Sequence, residues 1–119
     1  MNFLWSEFLA LAEQLHTRGG QDEATQRTII GRAYYGAFGT ARMHVKDKLS
    51  GHQSVHKQVI DSYKGSRNPA ERAIGNKLDA LRHRRVKADY EPDSVPAGNV
   101  ERALREARDI LHQLDKIFR

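Results

Sequence analysis

The sequence predicts an all-α fold, an up-and-down bundle of four or five helices. Apolar residues recur at spacings of three and four along most of the chain, which is the period of an amphipathic helix and not the alternation of a strand. Helix start and stop signals divide the chain into segments of helical length. With 119 residues, 39% of them hydrophobic, residues 1–119 are expected to form one domain around one core.

Two helices are predicted in the first half of the chain. The first follows an apolar stripe of Leu4, Phe8, Leu11 and Leu15. Gly19 and Gly20 form a natural stop for it. Asp22 is a candidate cap for the second helix, which is expected to continue to about Leu49.

The second predicted helix is rich in small residues. Its apolar stripe comprises Ile30, Ala33, Tyr34, Ala37, Phe38, Ala41, Val45 and Leu49. Gly31, Gly36 and Gly39 also lie in it, and each glycine costs roughly 1 kcal/mol in a helix interior relative to alanine. That cost indicates that another backbone packs very close to this helix.

Three further helices are predicted after a break at Ser50–Gly51. The third covers Val55 to Tyr63 and ends at Gly65. Asn68-Pro69-Ala70-Glu71 is a strong start signal for the fourth, because it combines a capping side chain, a proline at the first helical position and a following carboxylate. Beyond a loop at 91–98, the fifth helix has an apolar stripe of Val100, Leu104, Ala107, Leu111, Leu114 and Phe118.

Positive charge is concentrated in the middle of the chain. The formal net charge is +5, and residues 40–90 hold twelve Lys and Arg against five Asp and Glu. A localised basic field suits a phosphate-bearing partner such as RNA or DNA. A solvated surface that keeps the protein in solution is the alternative interpretation.

Several classes of protein are disfavoured by residues that the sequence lacks. There is no cysteine, which excludes disulfides, thiol catalysis and cysteine zinc sites. His52 and His56 lie four apart without a third ligand, so no metal site is expected. No phosphate-binding glycine loop or dinucleotide fingerprint occurs, so no cofactor is expected. Glu7 and Glu13 interrupt the apolar start, which predicts neither a signal peptide nor a membrane span and favours a cytoplasmic protein.

The fourth helix carries the main candidate for a functional residue. Its apolar stripe of Ile74, Leu78 and Leu81 continues to Arg85 and Ala88. Because a guanidinium group is rarely buried without a partner, Arg85 is expected to meet an acidic group, an anion or a second copy of the protein. The alternative is a structural arginine at the edge of the core, paired with Asp89 one turn later.

Other residues of the same segment extend this candidate site. Arg82, Arg84 and Lys87 can flank a phosphate backbone, or they can form an ordinary exposed helix face. Tyr90 lies at the junction of helix and loop, where a phenol can hydrogen-bond a phosphate or stack on a base. An ordinary tyrosine at the edge of the core is the alternative.

Three segments in order resemble the HEPN family. Arg32-Ala33-Tyr34-Tyr35-Gly36-Ala37-Phe38, with Ala41-Arg42, is similar to the Arg-x-Tyr-Tyr-x-x-Phe run of the family's long second helix. His56-Lys57-Gln58-Val59-Ile60 resembles the short helix that follows it. Arg85-Val86-Lys87-Ala88-Asp89-Tyr90 is similar to the Arg-x-x-Ala-Asp-Tyr ending of one prokaryotic branch. The similarity covers nearly the whole chain.

This resemblance implies a HEPN-like bundle that forms a homodimer with a groove along the dimer axis. Many members are metal-independent ribonucleases that act as toxins or in antiviral defence, often with a nucleotidyltransferase-type antitoxin. In such a site Arg85 would stabilise a phosphate, and Asp89 and Tyr90 would shape its surroundings. RNA is the partner that the resemblance implies.

The chain departs from the family's signature, an arginine followed by a histidine after four to six residues. No histidine follows Arg82, Arg84 or Arg85 at that spacing, and Tyr90 stands there instead. Related sequences often carry histidine after the phenylalanine of the second helix, where this chain has Gly39. Whether the protein is an enzyme is therefore left open.

Three functions remain after the sequence is considered. The first is a HEPN-type ribonuclease. The second is a non-catalytic HEPN-like module that binds nucleotide or nucleic acid, or is the helical partner subunit of a nucleotidyltransferase. The third is a structural dimer formed through Gly36, Ala37 and Gly39 of the second helix.

Overall fold

Five α-helices make up the described part of the computed structural model, residues 2–51 and 54–118. They are α1 (Ser6–Thr17), α2 (Glu23–Val45), α3 (Val55–Lys64), α4 (Pro69–Tyr90) and α5 (Asn99–Ile117). No strand occurs within these residues. The prediction of an all-α helical bundle is confirmed.

The central element is α2, which packs against all four other helices. Asp22 caps it, as predicted, by accepting a hydrogen bond of 3.0 Å from the backbone N–H of Thr25. The α-helix ends at Val45, earlier than the predicted Leu49, because the chain tightens into a 3₁₀ turn over Lys46–Lys48. Tyr34 and Phe38 of α2 are buried in the core.

Gly36 and Gly39 of α2 allow α1 to approach closely. Glycines are costly inside a helix, and the sequence predicted close packing of another backbone for that reason. A Cβ atom at Gly36 would lie 2.9 Å from the backbone N of Leu9, and one at Gly39 would clash with the ring of Trp5. The neighbouring backbone therefore belongs to the same chain. The hypothesis of a dimer contact through Gly36 and Gly39 is wrong, because α1 already covers them.

The apolar stripe predicted for α1 faces the core only in part. Leu9 and Ala12 are buried, whereas Leu4 is 64% exposed and Leu11 is 40% exposed. Phe8 and Leu15, the other predicted members, are half-buried. The reason is the contact between Leu9 and Gly36, which turns the adjoining face of α1 toward α2 and leaves Leu4 and Leu11 at the surface.

The start of α4 follows its sequence signal. The side-chain oxygen of Asn68 accepts hydrogen bonds from the backbone N–H groups of Ala70 (2.8 Å) and Glu71 (3.4 Å), and Pro69 is the first helical residue. These bonds satisfy amide donors that have no partner inside the helix. The predicted boundary is confirmed.

The end of α4 and the loop after it are held by Arg27 of α2. Its guanidinium donates hydrogen bonds of 2.7 Å to the carbonyl oxygens of Ala88, Glu91 and Asp93. Glu23, one turn earlier on α2, accepts a bond of 2.7 Å from the N–H of Val95. Two side chains of α2 thus supply partners for backbone groups that the loop cannot satisfy alone.

The last helix buries most of its predicted stripe. Val100, Leu104, Ala107 and Leu114 are in the core with Ala103 and Ile110. Leu111 is half-buried, and Phe118 is 37% exposed and stacks on His44 with ring centroids 4.2 Å apart. Within residues 2–51 and 54–118, no helix has the length and apolar character needed to cross a membrane.

Candidate functional site

Arg85 lies at the edge of the core, as its position on the apolar stripe of α4 predicts. It is 8% exposed, and its Nη1 donates a hydrogen bond of 2.9 Å to Oδ2 of Asp89. Burial alone would lower the pKa of Arg85, but the hydrogen bond to Asp89, together with the charge of Asp89 and the two neighbouring tyrosines, outweighs it and raises the pKa. The charged guanidinium is therefore held in place, while its buried Nε has no hydrogen-bond partner among the described residues.

The same guanidinium packs on two tyrosines of α2. Its Cζ lies 5.4 Å from the ring centroid of Tyr34 and 5.5 Å from that of Tyr35, which is within the range of a cation–π interaction. Tyr34 is fully buried, and burial raises its pKa, so its hydroxyl stays protonated and needs a hydrogen-bond partner. Tyr35 is half-buried and forms the outer side of the contact.

His56 of α3 provides that hydrogen-bond partner. Its Nδ1 lies 2.7 Å from the hydroxyl oxygen of Tyr34. The imidazole stacks on Phe38 with centroids 4.3 Å apart and the planes 19° from parallel. Three helices thus bring a histidine, two tyrosines and an arginine together, although these residues lie far apart in the sequence.

The imidazole of His56 is neutral at neutral pH. Burial and the nearby guanidinium groups of Arg82, Arg85 and Arg42 lower its pKa from 6.5 to about 4. A neutral ring has one nitrogen that accepts and one that donates. If Nδ1–H donates to Tyr34, then Nε2 is free to accept a proton; if Tyr34 donates, then Nε2 carries a hydrogen and can donate to an anion.

Arg82 completes this group, one turn before Arg85 on α4. Its Nε is buried and, like that of Arg85, lacks a hydrogen-bond partner in the described part of the chain. A buried polar group without a partner is costly, so each of these donors is a candidate contact for a water molecule, an ion or a ligand atom. We name Tyr34, Tyr35, His56, Arg82 and Arg85 the arginine–histidine cluster.

A donor set of this kind fits an anion with several oxygens. Guanidinium groups bind phosphate through charge-assisted hydrogen bonds, and a neutral imidazole beside them can exchange a proton with the ligand. Asp89, one turn later on α4, forms an ion pair of 2.9 Å with Arg85 and holds its guanidinium in position. The cluster is chemically suited to hold a phosphodiester and to move a proton next to it.

Sequence reasoning did not find His56 as a member of this site. The family's signature has a histidine shortly after an arginine, whereas His56 belongs to α3, which precedes both arginines in the chain. A usable signal was present, since Val59, Ile60 and Tyr63 form the buried face of α3 and His56 lies one turn before them on that face. His56 and Arg85 are both polar residues on apolar stripes.

The remaining predicted residues lie on different sides of α4. Arg84 faces α5, where its guanidinium binds Glu106 at 2.8 Å and Asn99 at 3.0 Å. Lys87 is exposed and shares with Arg82 a depression of about 270 Å³ along α4. Tyr90 is 76% exposed and has no hydrogen bond or ring contact of its side chain within the described residues. The structure therefore brings Arg82, Arg85 and Asp89 together, but not Arg84 or Tyr90.

Of the two histidines weighed as metal ligands, His52 lies outside the described residues. His56 uses its Nδ1 toward Tyr34. Over the described ranges, no group of three or more His, Asp or Glu side chains is arranged to hold a metal ion.

Comparison with known proteins adds no relative. No protein-family model, no curated protein and no solved structure matches this chain.

Proposed function

We propose that this chain is a HEPN-type RNA-targeting protein that binds a phosphodiester at the arginine–histidine cluster and cleaves RNA without a metal ion. In line with the resemblance described above, its setting would be a toxin–antitoxin or antiviral defence system in the cytoplasm. The partners would be RNA, a second copy of the chain and a nucleotidyltransferase-type antitoxin.

One observation carries this proposal. His56 lies against Tyr34 and close enough to Arg82 and Arg85 for their charges to lower its pKa, although no histidine follows either arginine at the family's spacing. RNA transesterification uses a general base and groups that stabilise negative charge on the phosphoryl oxygens, and a histidine and two arginines can supply these roles. In this chain the histidine comes from α3 instead of the end of α4.

The chemistry can be written with these groups alone. His56 Nε2 takes the proton of the ribose 2′-hydroxyl, and the 2′ oxygen forms a bond to the adjacent phosphorus as the bond to the 5′ oxygen breaks. The proton passes to the leaving 5′ oxygen, which gives a 2′,3′-cyclic phosphate and a 5′-hydroxyl end. Arg82 and Arg85 stabilise the negative charge that develops on the phosphoryl oxygens.

A second function, binding without cleavage, is favoured by the low pKa of His56. A base with a pKa of about 4 has little affinity for the proton of a hydroxyl group at neutral pH. The bond of Arg85 to Asp89 also occupies one of its donors. On this reading the cluster is a phosphate-binding site of a nucleotide- or nucleic-acid-binding module, or of a partner subunit of a nucleotidyltransferase.

The test is incubation of purified protein with total and synthetic RNA in the presence of EDTA. The variants are Arg85→Ala and His56→Gln, and the matched control is Arg105→Ala, which removes a positive charge from an exposed position of α5. We expect the wild type and Arg105→Ala to leave cyclic-phosphate ends, and the other two variants to lose cleavage. Circular dichroism checks that each variant is folded, and Arg85→Lys replaces Arg85→Ala if it is not.

Each result separates the two functions. Cleavage that survives Arg85→Ala, Arg85→Lys and His56→Gln would exclude a catalytic role for the cluster. Absence of cleavage by the wild type, together with RNA binding that weakens steeply with salt and is lost in Arg85→Ala, would establish the binding module instead.

A further inference from the structure

Three aromatic side chains form a cluster at the start of the chain. The ring centroids of Phe3 and Trp5 lie 5.4 Å apart, those of Phe3 and Phe8 lie 5.0 Å apart, and those of Trp5 and Phe8 lie 5.9 Å apart. Phe3 is 50% exposed, and Trp5 and Phe8 are half-buried. We name these three residues the aromatic edge. It presents ring surface to solvent that the fold itself does not cover.

The aromatic edge adjoins the arginine–histidine cluster through α2. Phe8 packs under the guanidinium of Arg32, 5.0 Å from Cζ to centroid, and Trp5 covers Gly39. Tyr35 lies three residues after Arg32 and four before Gly39, so it stands between them on the same face of the helix. Since Tyr35 also contacts Arg85, the aromatic edge and the site proposed to hold phosphate lie on adjoining parts of the surface of α2.

The helix leaves room along this surface. A Cβ atom at Gly31, one turn before Tyr35, would meet no atom within 4 Å. Gly36 and Gly39 have close neighbours that explain the absence of a side chain, whereas Gly31 does not. There is therefore room for at least a methyl group one turn before Tyr35.

The charges around this surface favour a nucleic acid over a protein. Arg32, Arg42 and Arg82 make no hydrogen bond or ion pair with a described carboxylate, whereas Arg84 and Arg108 pair with Glu106 and Glu13. Cations beside aromatic rings match a strand in which phosphates alternate with bases. Proteins that bind single strands combine a positive groove with aromatic side chains on which the bases stack.

We propose that the aromatic edge and Tyr35 form a base-stacking subsite for single-stranded RNA, next to the phosphate held by Arg82 and Arg85. The inference rests on the proposed function, because it assigns the nucleotides beside that phosphate. Bases next to the bound phosphodiester stack on Tyr35 and on the rings of Phe3 and Trp5. Arg32 and Arg42 bind the neighbouring phosphates through their positive charge.

The experiment compares two oligoribonucleotides of equal length, one with all its bases and one with abasic residues throughout. Their affinities are measured by fluorescence anisotropy on the full chain at fixed salt concentration. Loss of stacking on one base corresponds to roughly a 5- to 150-fold weaker affinity, and we expect the wild type to prefer the base-bearing strand by at least about fivefold. Phe3→Ala and Tyr35→Leu should each reduce this preference.

The control is Leu11→Ala, which removes an exposed apolar side chain from α1 outside the aromatic edge. It should leave the preference unchanged. Equal affinity of the wild type for both strands would overturn the stacking subsite while leaving the phosphate site in place. Failure of the wild type to bind either strand would overturn the proposed function and this inference together.

One further outcome distinguishes a protein partner. If Phe3→Ala and Leu11→Ala both weaken self-association in sedimentation equilibrium and neither alters the preference for bases, the surface is an interface between copies. That result would also overturn the stacking subsite.

Discussion

At His56, burial and three guanidinium groups act in the same direction. Both disfavour the charged imidazole, and together they lower its pKa to about 4. The hydrogen bond to Tyr34 then involves a neutral ring. The pKa of His56 therefore reports whether the imidazole is packed beside these guanidinium groups.

Removing one of the arginines should raise the pKa of His56 toward its ordinary value of 6.5. Arg42→Ala is the suitable change, because Arg42 is exposed and its charge contributes to lowering the pKa of His56. The pKa is measured from imidazole chemical shifts across a pH titration by NMR. The control, Lys57→Ala, removes a charge that Asp61 already neutralises at 2.7 Å and should leave the titration nearly unchanged. Titration of wild-type His56 near 6.5 would contradict the structure of the cluster.

The sequence allowed part of this site to be predicted at the level of single residues. The burial of Arg85 followed from its place on an apolar stripe, and its bond to Asp89 was one of the two interpretations of that place. His56 could not be placed, because the relative positions of α3 and α4 depend on packing between helices. No local spacing encodes that arrangement.

Among the helices, the contact of α1 with α2 depends on particular glycines. Gly36→Ala should destabilise the protein by roughly 1–3 kcal/mol, because its Cβ would lie 2.9 Å from backbone of α1 that cannot move independently. Gly31→Ala is the matched control, since its Cβ meets open space and alanine should stabilise the helix by up to about 1 kcal/mol. Urea denaturation measures both. A stabilised Gly36→Ala variant would show that α1 packs elsewhere.

The loop after α4 depends on Arg27. Arg27→Ala removes three hydrogen bonds from a charged donor to backbone carbonyls and should cost about 2–3 kcal/mol. Amide hydrogen exchange should accelerate most in residues 91–98. Arg72→Ala is the control, because Arg72 also donates to two carbonyls, those of Ser66 and Arg67, and is exposed. Equal losses of stability in both variants would contradict a special role for Arg27.

Helix boundaries followed from local signals, whereas the orientation of α1 did not. Asp22 and Asn68 cap their helices through their own side chains, so a few adjacent residues determine where α2 and α4 begin. For α1, the stripe of Leu4 and Leu11 was the stronger apolar pattern. The close approach at Gly36 decided the orientation instead, and such a contact becomes evident only when both helices are considered.

For the whole molecule, the neutral state of His56 implies a dependence of stability on pH. The unfolded chain takes up a proton near pH 6.5, whereas the folded chain does so only near pH 4. Between these values the unfolded state binds more protons, so the stabilisation is present in full above about pH 6.5 and is lost as the pH falls toward 4. The lowered pKa values of the Asp22 and Asp79 carboxyl groups affect the stability only at lower pH, below their ordinary pKa of 3.8.

We therefore expect the melting temperature to fall between pH 7 and pH 4.5, and His56→Gln to reduce that fall. The measurement is thermal denaturation followed by circular dichroism at several pH values in one buffer series. The matched control is His112→Gln, at an exposed position of α5, which should retain the wild-type dependence. A wild-type melting temperature that is constant over this range would contradict a half-buried, neutral His56.

Trp5 gives the protein an optical reporter of its own, because it is the single tryptophan of the chain and its ring lies on Gly39 of α2. Its emission should shift when α1 separates from α2, so fluorescence follows that one contact during unfolding while circular dichroism follows all the helices. A base stacked on the indole should quench the same emission. The binding of unlabelled RNA to the native protein can thus be followed by titration, with the fluorescence of Trp5 as the signal.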